Sequence, residues 1–555
     1  MIPLFFVPAL YGQKLHLKVL GKTGNETSTI DSIGYTVFHH DYVSLNAALD
    51  TLETRINKIG YIEHQRIETK KENDSTVLAL FHLKQKFNTI YIYHNLSDDY
   101  KTILRRFSEN VSQDYFKVAI EKAEDVLEQL NKGIANRGFP FSYVKLSELQ
   151  KKGSADLKAN LVVDSTETRR RIGNIKIEGY TKFPKSYIKH YLKLRPGQVL
   201  DLSAVEKKTG QLVNLRFANQ IKAPEVLFQK DSSSLFIYIE KTQSNTFDGF
   251  LGFGTNDETN RIEFDGFLNL RLVNNLNYGE TFSLLYKSDE IDQVTFDATT
   301  DLPYIFGSPI GLDFNLRIFK KDTSFTTVDQ RAKINYQINP LHKVSAGISS
   351  TTSNNLRAIA PTLMLQDYKT NYISLAYQYL NPQYYNILFP LKSKFHLQTN
   401  FGKRTSNTMS TNQSLLSISG FNNFYLNRKN SIYTNAEASI LISDNFFDNE
   451  LLRFGGINSI RGFEENSLFA SSYGVLNTEY RYRLSDTIFV HSIIDFAYFE
   501  NKILQTENKL YGFGFGFGIM TNSGLLKFNY ANGKAETQVF KLSNSKVHIS
   551  LVANF

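Results

Sequence analysis

From about residue 243 onward the chain alternates apolar and polar residues with a period of two, in segments separated by clusters of Asn, Asp, Gly and Ser. In Gly311–Phe319, Leu312, Phe314, Leu316 and Ile318 fall on one face, and Asp313, Asn315 and Arg317 on the other. Leu476–Leu484 repeats the pattern, with Leu476, Tyr480 and Tyr482 opposing Asn477, Glu479, Arg481 and Arg483. Successive side chains of a strand point to opposite sides, so such segments predict β-strands with one apolar and one polar face. Each alternation lasts about the 9 to 11 residues that a tilted strand needs to cross a bilayer. No helical period interrupts it. At about 20 residues per strand and connection, residues 243–555 hold about 16 antiparallel strands, the count of an all-β transmembrane barrel.

Residues 13–242 mix the two periods, and three times follow the order strand, helical region, two strands. The first unit, 13–87, opens with Leu15–Leu20 and a helix carrying Leu45, Leu49, Leu52, Ile56 and Ile59 on one face; Gly60-Tyr61 ends it, and strands around Ile62–Glu68 and Val77–Leu83 follow. The second, 88–171, has Thr89–Tyr93, a helix aligning Ile120, Ala123, Leu127, Leu130 and Ile134, and strands near Phe141–Leu146 and Leu157–Val163. The third, 172–242, opens with Asn174–Gly179 and closes with Glu225–Phe228 and Leu235–Glu240; its second helix is expected to start at a capping box, Ser203 with Glu206 three residues later. A repeat of roughly 75 to 85 residues describes a string of small α+β modules. Residues 1–12, an apolar run ending in small residues, resemble a secretory signal peptide without its basic start.

Composition narrows the picture. Aromatics make up 13% of the chain, 43 Phe and 31 Tyr, with no Trp, and the mean hydropathy is only −0.30. That combination suits strands that hide half their residues from lipid. The absence of Cys excludes disulfides, thiolate zinc sites and thiol catalysis. The net charge of +9 is scattered, without the basic helix or aromatic motif of a nucleic-acid binder, so no nucleic-acid partner is expected. The 11 His show no metal-site spacing, and neither a phosphate loop nor a nucleophile elbow is present. No catalytic residue, metal or cofactor is expected.

Arg461-Gly462-Phe463 follows the Gly- and Asn-rich stretch Phe454–Ile460 between two alternating segments, and reads as a loop between strands. Further on come Leu476-Asn477-Thr478-Glu479-Tyr480, Ile494-Asp495-Phe496-Ala497, Thr521–Tyr530, and a terminal segment Lys546–Phe555 that ends on an aromatic. In the third module Gly173, Gly179, Phe183, Leu192, Leu194 and Gly197 form a further rhythm. Together these residues resemble the POTRA–β-barrel superfamily, or bacterial surface antigen family, across almost the whole chain. That family includes outer-membrane-protein assembly factors, translocation-and-assembly factors and two-partner-secretion transporters. The resemblance implies α+β POTRA modules followed by a barrel, and a sixth extracellular loop that folds into the lumen with Arg461 near the inward Asp495 and Glu479. It takes Thr521–Tyr530 as the penultimate strand.

Physical chemistry supports that placement. Alternation puts Asp495 on one face with Ile493, Ala497 and Phe499, and a buried guanidinium needs carboxylate partners. In Tyr511–Gly518 a period of two turns Tyr511, Phe513, Phe515 and Phe517 outward and Gly512, Gly514, Gly516 and Gly518 inward, as a wall with room for an inserted loop or as an easing of curvature. Val547, Ile549, Leu551, Ala553 and Phe555 face outward on the terminal strand, whose partner is a first strand near Phe247–Gly254 weakened by Gly249, Gly252 and Gly254. From the residues alone this is an ordinary closed seam. The resemblance makes it a seam that opens and templates a client strand.

The implied function is an outer-membrane insertase or translocase, not an enzyme, with its modules in the periplasm of a Gram-negative-type cell. Its partners would be unfolded outer-membrane or secreted clients, outer-membrane lipid and periplasmic accessory proteins. Three modules favour the translocation-and-assembly branch; two-partner-secretion transporters usually have two modules and a plug helix, and no such helix is read at the N-terminus. Alternatives are such a transporter, a passive outer-membrane channel with accessory periplasmic domains, and a surface-exposed binding protein, disfavoured by short loops.

Overall fold

The computed structural model describes residues 14–96, 98–105, 111–164, 168–230, 232–255, 262–288, 293–356, 365–383, 386–407, 409–521, 524–536 and 545–554. The expected signal segment and Phe555 lie outside the described residues. The chain divides into two compact units, one of residues 1–172 with 197–204 and one of 173–196 with 205–555.

The first unit holds two α/β modules. In the first, β1 (Leu15–Gly21), β2 (Phe38–His39), β3 (Gln65–Lys71) and β4 (Thr76–His82) form a sheet of order β2-β1-β4-β3, with α1 (Gly24–Ile33) and α2 (Tyr42–Lys58). Strands β1 and β4 run parallel at its centre. Helix α2 forms because Asp41 accepts a bond from the Ser44 backbone N–H at 2.7 Å, a side-chain cap for an otherwise orphaned donor. The helix buries Leu45, Leu49, Leu52 and Ile56 against Leu17, Val19, Val77 and Phe81. Helix α1 has no apolar stripe and buries only Ile30, which is why periodicity does not reveal it.

The second module repeats the sheet with β5 (Thr89–Tyr93), β6 (Tyr115–Ala119), β7 (Tyr143–Lys151) and β8 (Asp156–Asp164), in the order β6-β5-β8-β7. Helices α3 (Asp98–Leu104) and α4 (Ile120–Ala135) accompany it. Helix α4 buries Val126 in place of the expected Leu127, which is half-buried. Helix α3 packs against α4 and brings Leu104 into the same core as Val126, turning the buried stripe that way.

In the second unit β12 (Ser233–Lys241) lies between parallel β9 (Asn174–Gly179) and an interrupted antiparallel strand, β10 (Ala218–Gln220) and β11 (Glu225–Phe228). The expected capping box at Ser203 is not the one used. Helix α5 spans Leu202–Thr209, and the Asp201 carboxylate caps it by accepting from the Ala204 N–H at 2.8 Å. A carboxylate two residues upstream outcompetes the serine because charge and acceptor both suit a helix N-terminus.

From Thr246 the chain forms a closed ring of sixteen antiparallel strands. The strands are β13 (Thr246–Thr255), β14 (Ile262–Val273), β15 (Thr281–Ser288), β16 (Gln293–Leu302), β17 (Ile310–Lys321), β18 (Phe325–Asn339), β19 (His342–Asn355) and β20 (Tyr368–Pro382). They continue as β21 (Leu391–Ser406), β22 (Ser410–Tyr425) and β23 (Asn430–Ile442), then, after a short ribbon of β24 (Leu452–Phe454) and β25 (Leu468–Ala470), as β26 (Ser472–Arg483), β27 (Ile488–Asn501), β28 (Thr506–Thr521), β29 (Gly524–Ala535) and β30 (Ser545–Asn554). No helix of the described residues is long and apolar enough to cross a membrane. Burial follows the period of two: in β27, Asp495 is 1% exposed and its neighbour Ile494 is 54% exposed. One expected boundary moves, since Thr521 ends β28 and pairs with Gly524 at the start of β29. Thr521–Tyr530 is therefore a hairpin corner plus half of the penultimate strand.

The β9–β12 module docks on the barrel rim at the 274–280 and 303–309 turns. The Tyr187 hydroxyl donates to the Gly279 carbonyl at 3.1 Å, and its ring meets Tyr304 edge-on at 4.9 Å. Tyr180 donates to Asn277 at 2.6 Å and accepts from Asn274 at 2.8 Å. Gly279 has φ +80, and a Cβ there would fall 2.2 Å from the Tyr187 ring. Gly279→Ala is therefore expected to weaken docking by about 1–3 kcal/mol, the scale of an L-residue forced into left-handed backbone. Hydrogen exchange checks this. Faster exchange across Tyr180–Leu194 with protected barrel strands is expected, and unchanged exchange would contradict it.

Candidate functional site: a lumen loop and a strand seam

The long connection between β23 and β26, residues 443–471, turns back into the lumen and carries Arg461 among lumen-facing residues of β26 and β27. Arg461 is 6% exposed, Glu479 7% and Asp495 1%. The Arg461 Nε and a terminal nitrogen donate to the two Asp495 oxygens at 2.8 and 2.5 Å, a fork-on-fork contact, and the Arg461 backbone N–H donates to Asp495 at 3.0 Å. Its other terminal nitrogen bonds Glu479. Glu479 is shared, since Arg481 Nε donates to its second oxygen at 2.7 Å. Arg481 in turn lies over the Tyr433 ring at 3.9 Å and donates to Asn423 at 2.8 Å. Two carboxylates and two guanidiniums thus compensate one another away from bulk water.

Glycines admit the loop to the wall, though not quite as the alternation predicts. Gly462 has φ +91, and a Cβ on it would lie 2.3 Å from the Gly533 nitrogen. A Cβ on Gly512 would meet the Arg461 carbonyl at 2.4 Å, and one on Gly533 would meet the Gly462 carbonyl at 2.5 Å. Gly512 and Gly533 are register partners on β28 and β29, so the wall facing the loop is this cross-strand pair. Gly514, Gly516 and Gly518 do not touch the loop: Gly514 abuts the β29 backbone, Gly516 the side chains of His491 and Asn529, and Gly518 the Phe489 ring. Gly533 shares β29 only with Gly524 at its start, so no glycine period marks it in the sequence. Phe463 joins a cluster with Phe454, Ile460 and Ala497 that fixes the loop beyond the arginine.

The seam joins β13 to β30. Strand β13 pairs with β14 along its whole length, Thr246–Thr255, and β30 pairs with β29 from Ser545 to Ala553. Between β13 and β30, among the described residues, only Thr246↔Asn554 and Phe247↔Ala553 pair. Gly249 has φ +144, and a Cβ there would meet the Phe267 carbonyl at 2.1 Å; Gly252 and Gly254 pair with Asp265 and Glu263 on β14. Val547 and Ile549 face outward and are exposed, and Leu551 pairs with Leu526. Phe555, expected at the end of this strand, falls outside the described residues.

Two further arginines hold the loop, and neither was read from the sequence. Arg404 on β21 is fully buried; it bonds Glu450 and Asn445 of the loop, and its guanidinium lies 3.8 Å from the Phe447 ring centre. Arg453, within the loop, lies 4.0 Å over Phe319 and 4.7 Å over Phe325. Arg404 looks like any lumen-facing cation of an alternating strand, and Glu450 lies 46 residues away. Only the fold joins them. Among the described residues no cluster of His, Cys, Asp or Glu could hold a metal ion.

Removing one partner of a buried pair strands the other charge at about 3–5 kcal/mol. Arg461→Ala is therefore expected to release the loop, exposing 455–470 to protease while the barrel stays folded and heat-modifiable on gels. Gly533→Ala should act in the same direction through steric conflict with Gly462. Protease resistance equal to wild type in both variants would contradict the clamp.

The family model for POTRA, the surface antigen variable number repeat, matches residues 170–242. No match was found among curated proteins. Among solved structures, BamA from Haemophilus ducreyi lacking POTRA domains 1–3 is 15% identical, with 84% of this chain and 99% of that chain covered and a TM-score of 0.51. CdiB from Escherichia coli is 14% identical, covering 96% of this chain and 99% of that one at a TM-score of 0.52. CdiB from Acinetobacter baumannii is 13% identical, covering 84% and 90% at 0.52. The POTRA repeat at residues 170–242 leads into a closed sixteen-strand barrel, and the chain shares the fold of these solved structures.

Proposed function

We propose that this protein is an outer-membrane insertase or translocase that receives unfolded clients on its periplasmic modules and passes or inserts them at the β13–β30 seam. The observation that carries this reading is the short seam: Gly249–Thr255 have register partners on β14 and none on β30 among the described residues. In hydrocarbon an unpaired backbone edge is costly, so such an edge favours capture of an incoming strand. The loop supports the reading by touching β30 at the seam and β15, two strands beyond β13. Glu464 reaches Lys546 on β30 at 3.0 Å, and Glu465 reaches Lys287 on β15 at 3.5 Å. These pairs are partly exposed, so each contributes little and yields to salt or a client. No nucleotide motif is present, and the energy would come from client folding and lipid burial.

A two-partner-secretion-type transporter is the second reading, supported by a CdiB likeness that spans nearly both chains. Depletion followed by outer-membrane and secreted proteomics separates the two. Loss of many barrel proteins supports insertion, loss of one secreted protein supports the transporter, and no change in either removes both. A passive channel would give large, steady, ohmic conductance in planar bilayers, whereas a loop-filled lumen predicts small, fluctuating currents.

The absence of native Cys allows a direct test of the seam. With Phe247→Cys and Ala553→Cys introduced at register partners, oxidation is expected to abolish client assembly and reduction to restore it. Full activity of the oxidised, cross-linked protein would remove the seam from the mechanism.

A further inference from the structure

On the side of the lumen away from the seam, strands β17–β22 and the loop segment 449–453 enclose a cavity of about 430 Å³. Its cations are unusually short of partners. Arg317 and Arg331 line it, and neither makes a hydrogen bond or ion pair among the described residues. Arg317 stands opposite Asp329 in register, yet the Asp329 carboxylate takes the Thr351 hydroxyl at 2.5 Å instead. Arg453 closes the roof, held by aromatic rings, and its buried Nε has no acceptor. Glu450, the other carboxylate on the wall, is already matched by Arg404. Arg317 also stands opposite Asp297 of β16 in register, so three guanidiniums face two carboxylates without a cation partner, Asp329 and Asp297, and a surplus of positive charge remains. The wall also offers the Thr370 hydroxyl, 3% exposed and without a hydrogen-bond partner.

We infer that this chamber binds a phosphate-bearing small molecule. Guanidinium forks match phosphate oxygens two at a time, and an anion offsets the surplus positive charge. The volume falls within the range of about 300–1,000 Å³ usual for small-ligand sites, well above one bare ion. The placement gives the ligand a role, because a phosphate bridging Arg453 of the loop to Arg317 and Arg331 of the wall ties the loop to β17 and β18. The inference is independent of the client-handling reading. The phosphate could belong to a soluble molecule or to a lipid headgroup.

The test is calorimetry with inorganic pyrophosphate on the full-length protein in an uncharged detergent. Saturable binding is expected, weakened about tenfold by Arg317→Gln and by Arg331→Gln, the loss of one charged hydrogen-bonding partner, and unchanged by Arg483→Gln outside the chamber. Heat-modifiable gel migration verifies that each variant is folded. Repeating the titration in phosphatidylglycerol nanodiscs distinguishes the sources: competition assigns the phosphate to a headgroup, and equal binding assigns it to a soluble molecule. No saturable binding, equal weakening by Arg483→Gln, or loss of binding in chloride at matched ionic strength would overturn the inference.

Discussion

A guanidinium drawn out of bulk water must be met by carboxylates or by polarisable surface, and Arg461 imposes that requirement on the barrel. Its two partners, Asp495 and Glu479, are on adjacent strands, so the arginine sets where the 443–471 loop crosses the wall. The crossing brings backbone against backbone, which only Gly462, Gly512 and Gly533 permit. Removing any one of these conditions removes the reason for the others. The loop is thus a consequence of charge burial, supported by absent side chains.

The three arginines near the loop solve the same problem in three ways. Arg461 is neutralised by two carboxylates, Arg404 by one carboxylate and an aromatic face, and Arg453 is met by aromatic rings and the Asn449 carbonyl without any carboxylate. Desolvation is costly for each, and the compensation weakens from the first to the third. The loop is therefore anchored most firmly near β26 and β27 and holds residual positive charge on the opposite side. The seam pairs over two residues among the described residues, whereas the loop is held by several buried contacts on β26 and β27.

Much of the fold was legible because one-sided burial writes itself into a period of two. The strands of β17, β26 and β27 follow from alternation, and Leu45, Leu49, Leu52 and Ile56 follow from a period of 3.6. Helix α1, which buries one side chain, left no such trace. The capping box at Ser203 was misplaced because local capping motifs compete, and Asp201 was the stronger acceptor. At the site Arg461, Glu479 and Asp495 were legible as lumen-facing charges, whereas no glycine period marks Gly533.

By itself the sequence determined the number and facing of the strands, the modular α/β half and the absence of thiol chemistry. These are matters of composition and period, which act over a few neighbouring residues. Only the tertiary structure decided that Arg404 meets Glu450, that Gly512 and Gly533 rather than Gly514, Gly516 and Gly518 receive the loop, that the seam holds two pairs among the described residues, and that Arg317, Arg331 and Arg453 converge. Each depends on strand register around a closed ring. Residues far apart in sequence meet there at distances that no local pattern encodes.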